Sequence, residues 1–209
     1  GNVILVDSEY LEVIVIRGDR DPELPFIHSM PMKDKKTNRR AELLADRIEE
    51  GAARLADFAG RLTDAEWSTP TTEAGKQGRP AGIIVHHVAS MYPIETSIAQ
   101  AVASGKSITD VSWEVVADIN AKHAAESANA SRDETIQLLL KNSGEAADAV
   151  RALSDEELDR AAPFSLSFGA PMTAQFVLED HAVRHSWHHL ARLRKALGHH
   201  TVNPSSRLR

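Results

Sequence analysis

The chain contains no cysteine. Disulfides, thiolate nucleophiles and cysteine metal ligands are therefore excluded, and any metal must be held by His, Asp or Glu. Basic residues are not in excess: 24 Lys and Arg stand against 30 Asp and Glu, for a net charge of −6. A nucleic-acid binder normally carries a basic stripe, so nucleic acid is not expected as a partner. The basic runs at Lys33–Arg40 and Arg192–Lys195 are local and read as solvated faces. No apolar run approaches the length needed to cross a membrane. The first residues are strand-like and acidic rather than basic and then apolar, which does not suit a signal peptide. A cytoplasmic location and no membrane partner are the resulting expectations. Repeats and low-complexity segments are also missing.

What is present is an ordinary soluble composition. The 209 residues are 42% hydrophobic and 26% charged, enough for one large domain or a domain with an appendage.

Histidine is the exception. Four of the ten histidines fall in nine residues, within His181-Ala-Val-Arg-His185-Ser-Trp-His188-His189. No Gly or Pro lies between Met172 and Leu197, so the segment reads as one helix. His181, His185 and His189 are each four apart and stack on one face. At about 100° per residue all four histidines share one sector. Phe176, Val183, Trp187, Leu190 and Leu197 form an apolar stripe on the other side. A neutral imidazole is a good ligand for Zn, Ni, Cu or Fe. An i, i+4 histidine pair points two ring nitrogens at one ion. A lone pair at this spacing is more often a polar helix flank, and four clustered histidines shift the balance toward metal. A third ligand must come from elsewhere in the chain.

Taken in order, residues 1–31 read as two β-branched strands, Asn2–Val6 and Tyr10–Ile16, followed by a linker marked by Pro22, Pro25 and Pro31. An isolated hairpin is marginal in water, so it should pack on the body or on a second subunit. Gly1 stands where an initiator Met would, and Met32 is an alternative start. Residues 32–198 read as the main domain and 199–209 as a polar, frayed tail.

Within the domain, Asn38–Leu62 is a helix with Leu44, Ile48, Leu55, Phe58 and Leu62 on one face. Thr63-Asp-Ala-Glu66, Ser131-Arg-Asp-Glu134 and Ser154-Asp-Glu-Glu157 are capping boxes, each opening a helix. Ser68–Gly78 and Pro163–Ala170 read as loops, the second with apolar tips at Phe164, Leu166 and Phe168. Pro80–Ala103 is a helix with Pro80 in its first turn and a kink expected at Pro93. Its stripe is read as Ile83, Ile84, Met91, Ile94, Ile98 and Val102. His87 falls within that stripe and His86 about 100° away. A histidine in this position is more often a satisfied core residue than a ligand. A helix over Val111–Ser127 carries Trp113, Val116, Ile119 and His123. Another, opened at Ser131, carries Ile136, Leu139, Leu140, Ala147, Val150 and Leu153. The natural solution is an all-α four-helix bundle with a short N-terminal β extension, its sites between facing helices.

The pair Val85-His86-His87-Val88-Ala89 with His185-Ser-Trp-His188-His189 resembles the DinB/YfiT-like family. Leu62-Thr-Asp-Ala-Glu-Trp67 and Ala152-Leu-Ser-Asp-Glu-Glu-Leu158 fit it too. The resemblance covers roughly 38–198. It implies a four-helix bundle holding one divalent metal, zinc or nickel, through His87, His185 and His189. It also implies a homodimer acting on a small-molecule substrate. Relatives look like mycothiol-dependent isomerases, bacillithiol S-transferases or metal-dependent hydrolases, so a low-molecular-weight thiol is a candidate co-substrate. The Gly-Gln that often follows the paired histidines is Leu190-Ala191 here.

Such an ion would lower the pKa of a water or thiol and make a nucleophile near neutral pH. His188 borders the ligand face and is the candidate catalytic, proton-transfer group. His181 is a weaker candidate, and Glu179 and Tyr92 are possible pocket groups. The alternative is a non-catalytic metal-binding or dimeric interaction module. An open coordination sphere favours catalysis and a closed one a structural role.

Overall fold

The structure is a computed structural model that describes residues 38–199 except 74 and 75. The predicted N-terminal strands, and all but the first residue of the predicted tail, lie outside the described residues.

Four long helical segments build the body. They are α1 (Arg39–Arg61), α3 (Ala81–Ala103), α5 (Arg132–Arg151) and a C-terminal segment. The last comprises α7 (Ala174–Leu178), a π turn (Glu179–Val183) and α8 (Arg184–Ala196). Short elements join them: α2 (Asp64–Ser68), α4 (Trp113–Glu126) and α6 (Asp155–Asp159). α1 and α3 each pack against both α5 and the C-terminal segment, so these two consecutive helices stand on a diagonal of the bundle. A diagonal step needs a long connection, and residues 62–80 supply it.

The capping signals hold. Asn38, Thr63, Ser112, Ser131, Ser154 and Thr173 each accept a backbone N–H with their side chains at a helix start. Thr63 and Ser154 form complete boxes with Glu66 and Glu157. Pro80 is the N-cap residue of α3 rather than its first helical residue.

α1 buries the predicted face: Leu44, Ile48, Leu55, Phe58 and Leu62 are all within the core. Ala41, Ala45, Ala52 and Ala59 lie between them and let neighbouring helices approach. Gly51 does the same at one point. A Cβ there would lie 2.8 Å from Trp187 Nε1, so the glycine admits the Trp187 ring against α1.

α3 departs from its predicted stripe. Its buried face is Val85, Val88, Ala89, Tyr92, Thr96, Ala99 and Val102, while Ile94 is 43% exposed. On a helical wheel this face lies roughly a third of a turn from the predicted one at about 100° per residue. The helix is apolar most of the way round, so periodicity does not single out the face. The narrow bundle interior takes Ala and Val, leaving the bulkier Ile83, Ile84 and Ile98 on the flanks. In α5, Leu139, Ala147 and Val150 are buried as expected, but Leu140 is 47% exposed.

Both predicted loops contain hairpins. β1 (Pro70–Glu73) pairs antiparallel with β2 (Lys76–Pro80) through Pro70↔Pro80, Thr72↔Gln77 and Glu73↔Lys76. A Cβ on Gly78 would fall 1.7 Å from the Thr71 carbonyl oxygen, so only glycine fits there. β3 (Ala161–Pro163) pairs antiparallel with β4 (Pro171–Thr173). Between them Phe164 and Leu166 turn into the core, and only Phe168 is an exposed apolar tip.

α3 continues through Pro93. Proline has no N–H for the carbonyl four residues back, which is that of Ala89. Asn142 Nδ2 on α5 donates to that oxygen at 2.8 Å. Nearby, Tyr92 Oη and Ser186 Oγ are 2.6 Å apart in the core and tie α3 to α8.

Asn142→Ala should therefore lower unfolding free energy in urea by about 1–2 kcal/mol. In a Pro93→Ala background the restored N–H satisfies Ala89, and the cost should fall to a few tenths. Equal costs in both backgrounds would contradict this account.

Candidate metal centre

The histidine helix is one helical segment, as read, with a π turn inside it. A π turn carries more residues than an α turn and resets the faces on either side. Beyond it Ser186, Leu190 and Leu193 face the core. Leu190 is a core residue. His185 and His189 then share the flank that meets α3.

There they meet His87. One ring nitrogen from each of His87, His185 and His189 lies within 4.8 Å of the others. Ring centroids are 5.0 Å apart for His87–His185, 4.9 Å for His185–His189 and 5.8 Å for His87–His189. The Nδ1 atoms of His87 and His189 are buried without a hydrogen-bond partner. Burial, reinforced by neighbouring imidazoles, pushes His87 down to about 3 and His189 down to about 2. Both rings are neutral at pH 7, with lone pairs available. Three imidazoles around a small gap, with buried and unpartnered Nδ1 atoms on His87 and His189, fit a divalent transition-metal cation.

α4 adds a histidine that sequence reasoning left unassigned. His123 Nε2 is 2.8 Å from His86 Nδ1, and its ring centroid is 5.5 Å from that of His87. Ser90 and Ser127 hydroxyls each lie 3.3 Å from one member of this pair. Burial lowers the pKa of both His86 and His123. His86 is thus turned toward α4 and lies outside the three-histidine group.

Glu95 was also missed. Its Oε1 lies 2.7 Å from His185 Nδ1, with both side chains almost enclosed. The signal was in the sequence, because Glu95 is the only charged residue in the 23 residues of α3. Arg79 on β2 carries no ion pair among the described residues, and its charge helps to hold His87 and His123 neutral.

The remaining candidates are placed as follows. His188 has its ring centroid 5.2 Å from His189, and its Nε2 lies 3.1 Å from an Arg192 guanidinium nitrogen. His181, in the π turn, is held beside Phe164 and 3.9 Å from Asp180 rather than in the triad. Tyr92 is fully buried and bonded to Ser186, so it is a structural link and not a pocket group. Glu179 is exposed and accepts from Gln175 Nε2 at 2.9 Å.

These protonation states fix the sign of a pH effect. His87 and His189 fold with pKa values well below the 6.5 of an unperturbed histidine. Between about pH 6.5 and 3 the unfolded chain therefore binds more protons, and stability falls as pH falls. The melting temperature of metal-free protein should drop between pH 7 and 5. A His87→Gln, His189→Gln double variant should drop less, and an equal drop would contradict the neutral-imidazole site.

No family sequence model matches the chain, and no curated protein matches it in sequence. Solved structures do resemble it. YfiT from Bacillus subtilis, described as a probable metal-dependent hydrolase with an unusual four-helix bundle topology, matches at TM-score 0.59 and 20% identity, over 81% of this chain and 94% of that one. The colibactin self-resistance protein ClbS, solved with double-stranded DNA, matches at TM-score 0.58 and 14% identity, over 76% and 95%. A mycothiol-dependent maleylpyruvate isomerase matches at TM-score 0.55 and 17% identity, over 73% of this chain and 60% of that one. In fold, the chain is a four-helix bundle of the DinB/YfiT-like type.

Proposed function

We propose that the chain is a metal-dependent enzyme acting on a small-molecule substrate, with one zinc or nickel ion held by His87, His185 and His189. The observation that carries this reading is the convergence of three imidazoles from α3 and α8, with the buried Nδ1 atoms of His87 and His189 unpartnered among the described residues. When bound, such an ion lowers the pKa of a water or thiol and polarises a substrate oxygen.

The reaction is hydrolysis, or transfer or isomerisation that uses a low-molecular-weight thiol. With no cysteine in the chain, the nucleophile comes from solution in either case. Arg79, which carries no ion pair among the described residues, favours an anionic substrate or thiolate near His87 and His123. His188, at the edge of the ligand group, is the proposed proton-transfer residue, with Arg192 orienting its ring. Likeness to a mycothiol-dependent isomerase and to a probable hydrolase supports both reaction classes. The acidic net charge supports a role without nucleic acid. No helix among the described residues is long and apolar enough to cross a membrane, and the cytoplasm is the proposed location.

Protein purified without a His tag or added metal should carry about one divalent ion per chain by mass spectrometry of the elements. His87→Ala, His185→Ala and His189→Ala should each lose it, while His86→Ala and His188→Ala retain it. Retained metal in any of the first three would show that the ligand set is wrong.

One observation favours the second reading, a homodimeric interaction module. α4 buries no residue fully, and Trp113, Val115 and Ile119 on it are 41–49% exposed. A second copy of the chain is the proposed cover. Sedimentation should show a dimer that Ile119→Glu converts to monomer, and a monomeric wild type would overturn this.

A further inference from the structure

Glu95 is a buried carboxyl group on α3. Its side chain is 12% exposed. No Lys or Arg pairs with it among the described residues, and its Oε2 is buried with no hydrogen-bond partner. Leaving a carboxylate in this state is costly unless positive charge stands nearby. Its one close contact is His185, with Oε1 2.7 Å from Nδ1. That distance suits a hydrogen bond, although the two groups are not aligned for one. The His185 ring is itself a member of the three-histidine group.

We infer that Glu95 is the positioning residue of the metal centre: it accepts Nδ1–H from His185, which leaves Nε2 as the ligand atom, and its charge offsets that of the ion. This rests on the three-histidine reading above. A carboxylate behind a ligating histidine fixes the ring's tautomer and raises its basicity, and losing it typically costs 10–100-fold in metal affinity. The competing role, a purely structural ion pair with protonated His185 or His181, predicts the opposite pattern. In that case Glu95→Gln would destabilise the metal-free fold and leave metal affinity unchanged.

The test starts from zinc and nickel titration of metal-free wild-type protein, which examines the three-histidine reading by itself. Given uptake by the wild type, Glu95→Gln should bind about 10-fold more weakly and Glu95→Ala up to about 100-fold. The melting temperature of metal-free Glu95→Gln should be unchanged or higher, because a buried charge is gone. Affinity within twofold of wild type in both variants would overturn the inference. A second readout does not depend on the variants folding. In 15N-labelled, zinc-loaded wild type, long-range 15N–1H correlation should show His185 protonated at Nδ1 and metal-bound at Nε2. Binding through Nδ1 would overturn the inference, and a wild type that takes up no metal would overturn it together with the triad.

Discussion

Burying an imidazole nitrogen without a partner costs about 1–3 kcal/mol, and this bundle does so at both His87 and His189. That cost is the constraint on which the rest of the structure turns. Neither ring carries a proton near neutral pH, because burial and mutual repulsion disfavour it. Neither Nδ1 meets a hydrogen-bond partner among the described residues. The scaffold nevertheless holds the helices that carry them firmly together. Tyr92 bonds Ser186 across the α3–α8 contact, and Trp187 packs into the space left by Gly51 on α1. The stability comes from the core, and the site draws on it.

Helix register sets the geometry. On α3 the core face is small and β-branched, so the helix can sit close to its neighbours with His87 and Glu95 on its flank toward α8. The π turn at Glu179–Val183 lets Val177 and Leu178 before it, and Ser186 and Leu190 after it, all face inward. It also separates His181 from the pair that meets His87. α4 closes the other side, brought there through His123 and His86. The site is therefore walled by three helices and edged by Arg79.

Much of this was legible in the residues. α1 is sharply amphipathic, so its five large apolar residues named its buried face correctly. Thr63, Ser131 and Ser154 marked three helix starts because their side chains satisfy N–H groups that no carbonyl within the helix can reach. The histidines that converge, His87, His185 and His189, were the ones that the family resemblance named, while spacing alone marked the cluster His181, His185, His188 and His189. What failed has physical causes. α3 is apolar nearly all round, and the choice of its core face belongs to the packing of its neighbours. The hairpins at 70–80 and 161–173 are too short for period-2 alternation to register. The π turn leaves no mark in a pattern read at a fixed 3.6 residues per turn. Glu95 was overlooked because an isolated acid reads as surface, although its solitude on α3 was the clue.

The central claim is an open site in which only imidazole comes from the protein. X-ray absorption spectroscopy of the metal-loaded protein tests it most directly. The account predicts a first shell of three imidazole nitrogens, at about 2.0–2.1 Å for zinc, with the multiple-scattering pattern of histidine, completed by one or more exogenous light atoms. A shell dominated by carboxylate oxygen, or one closed by four protein ligands, would contradict it.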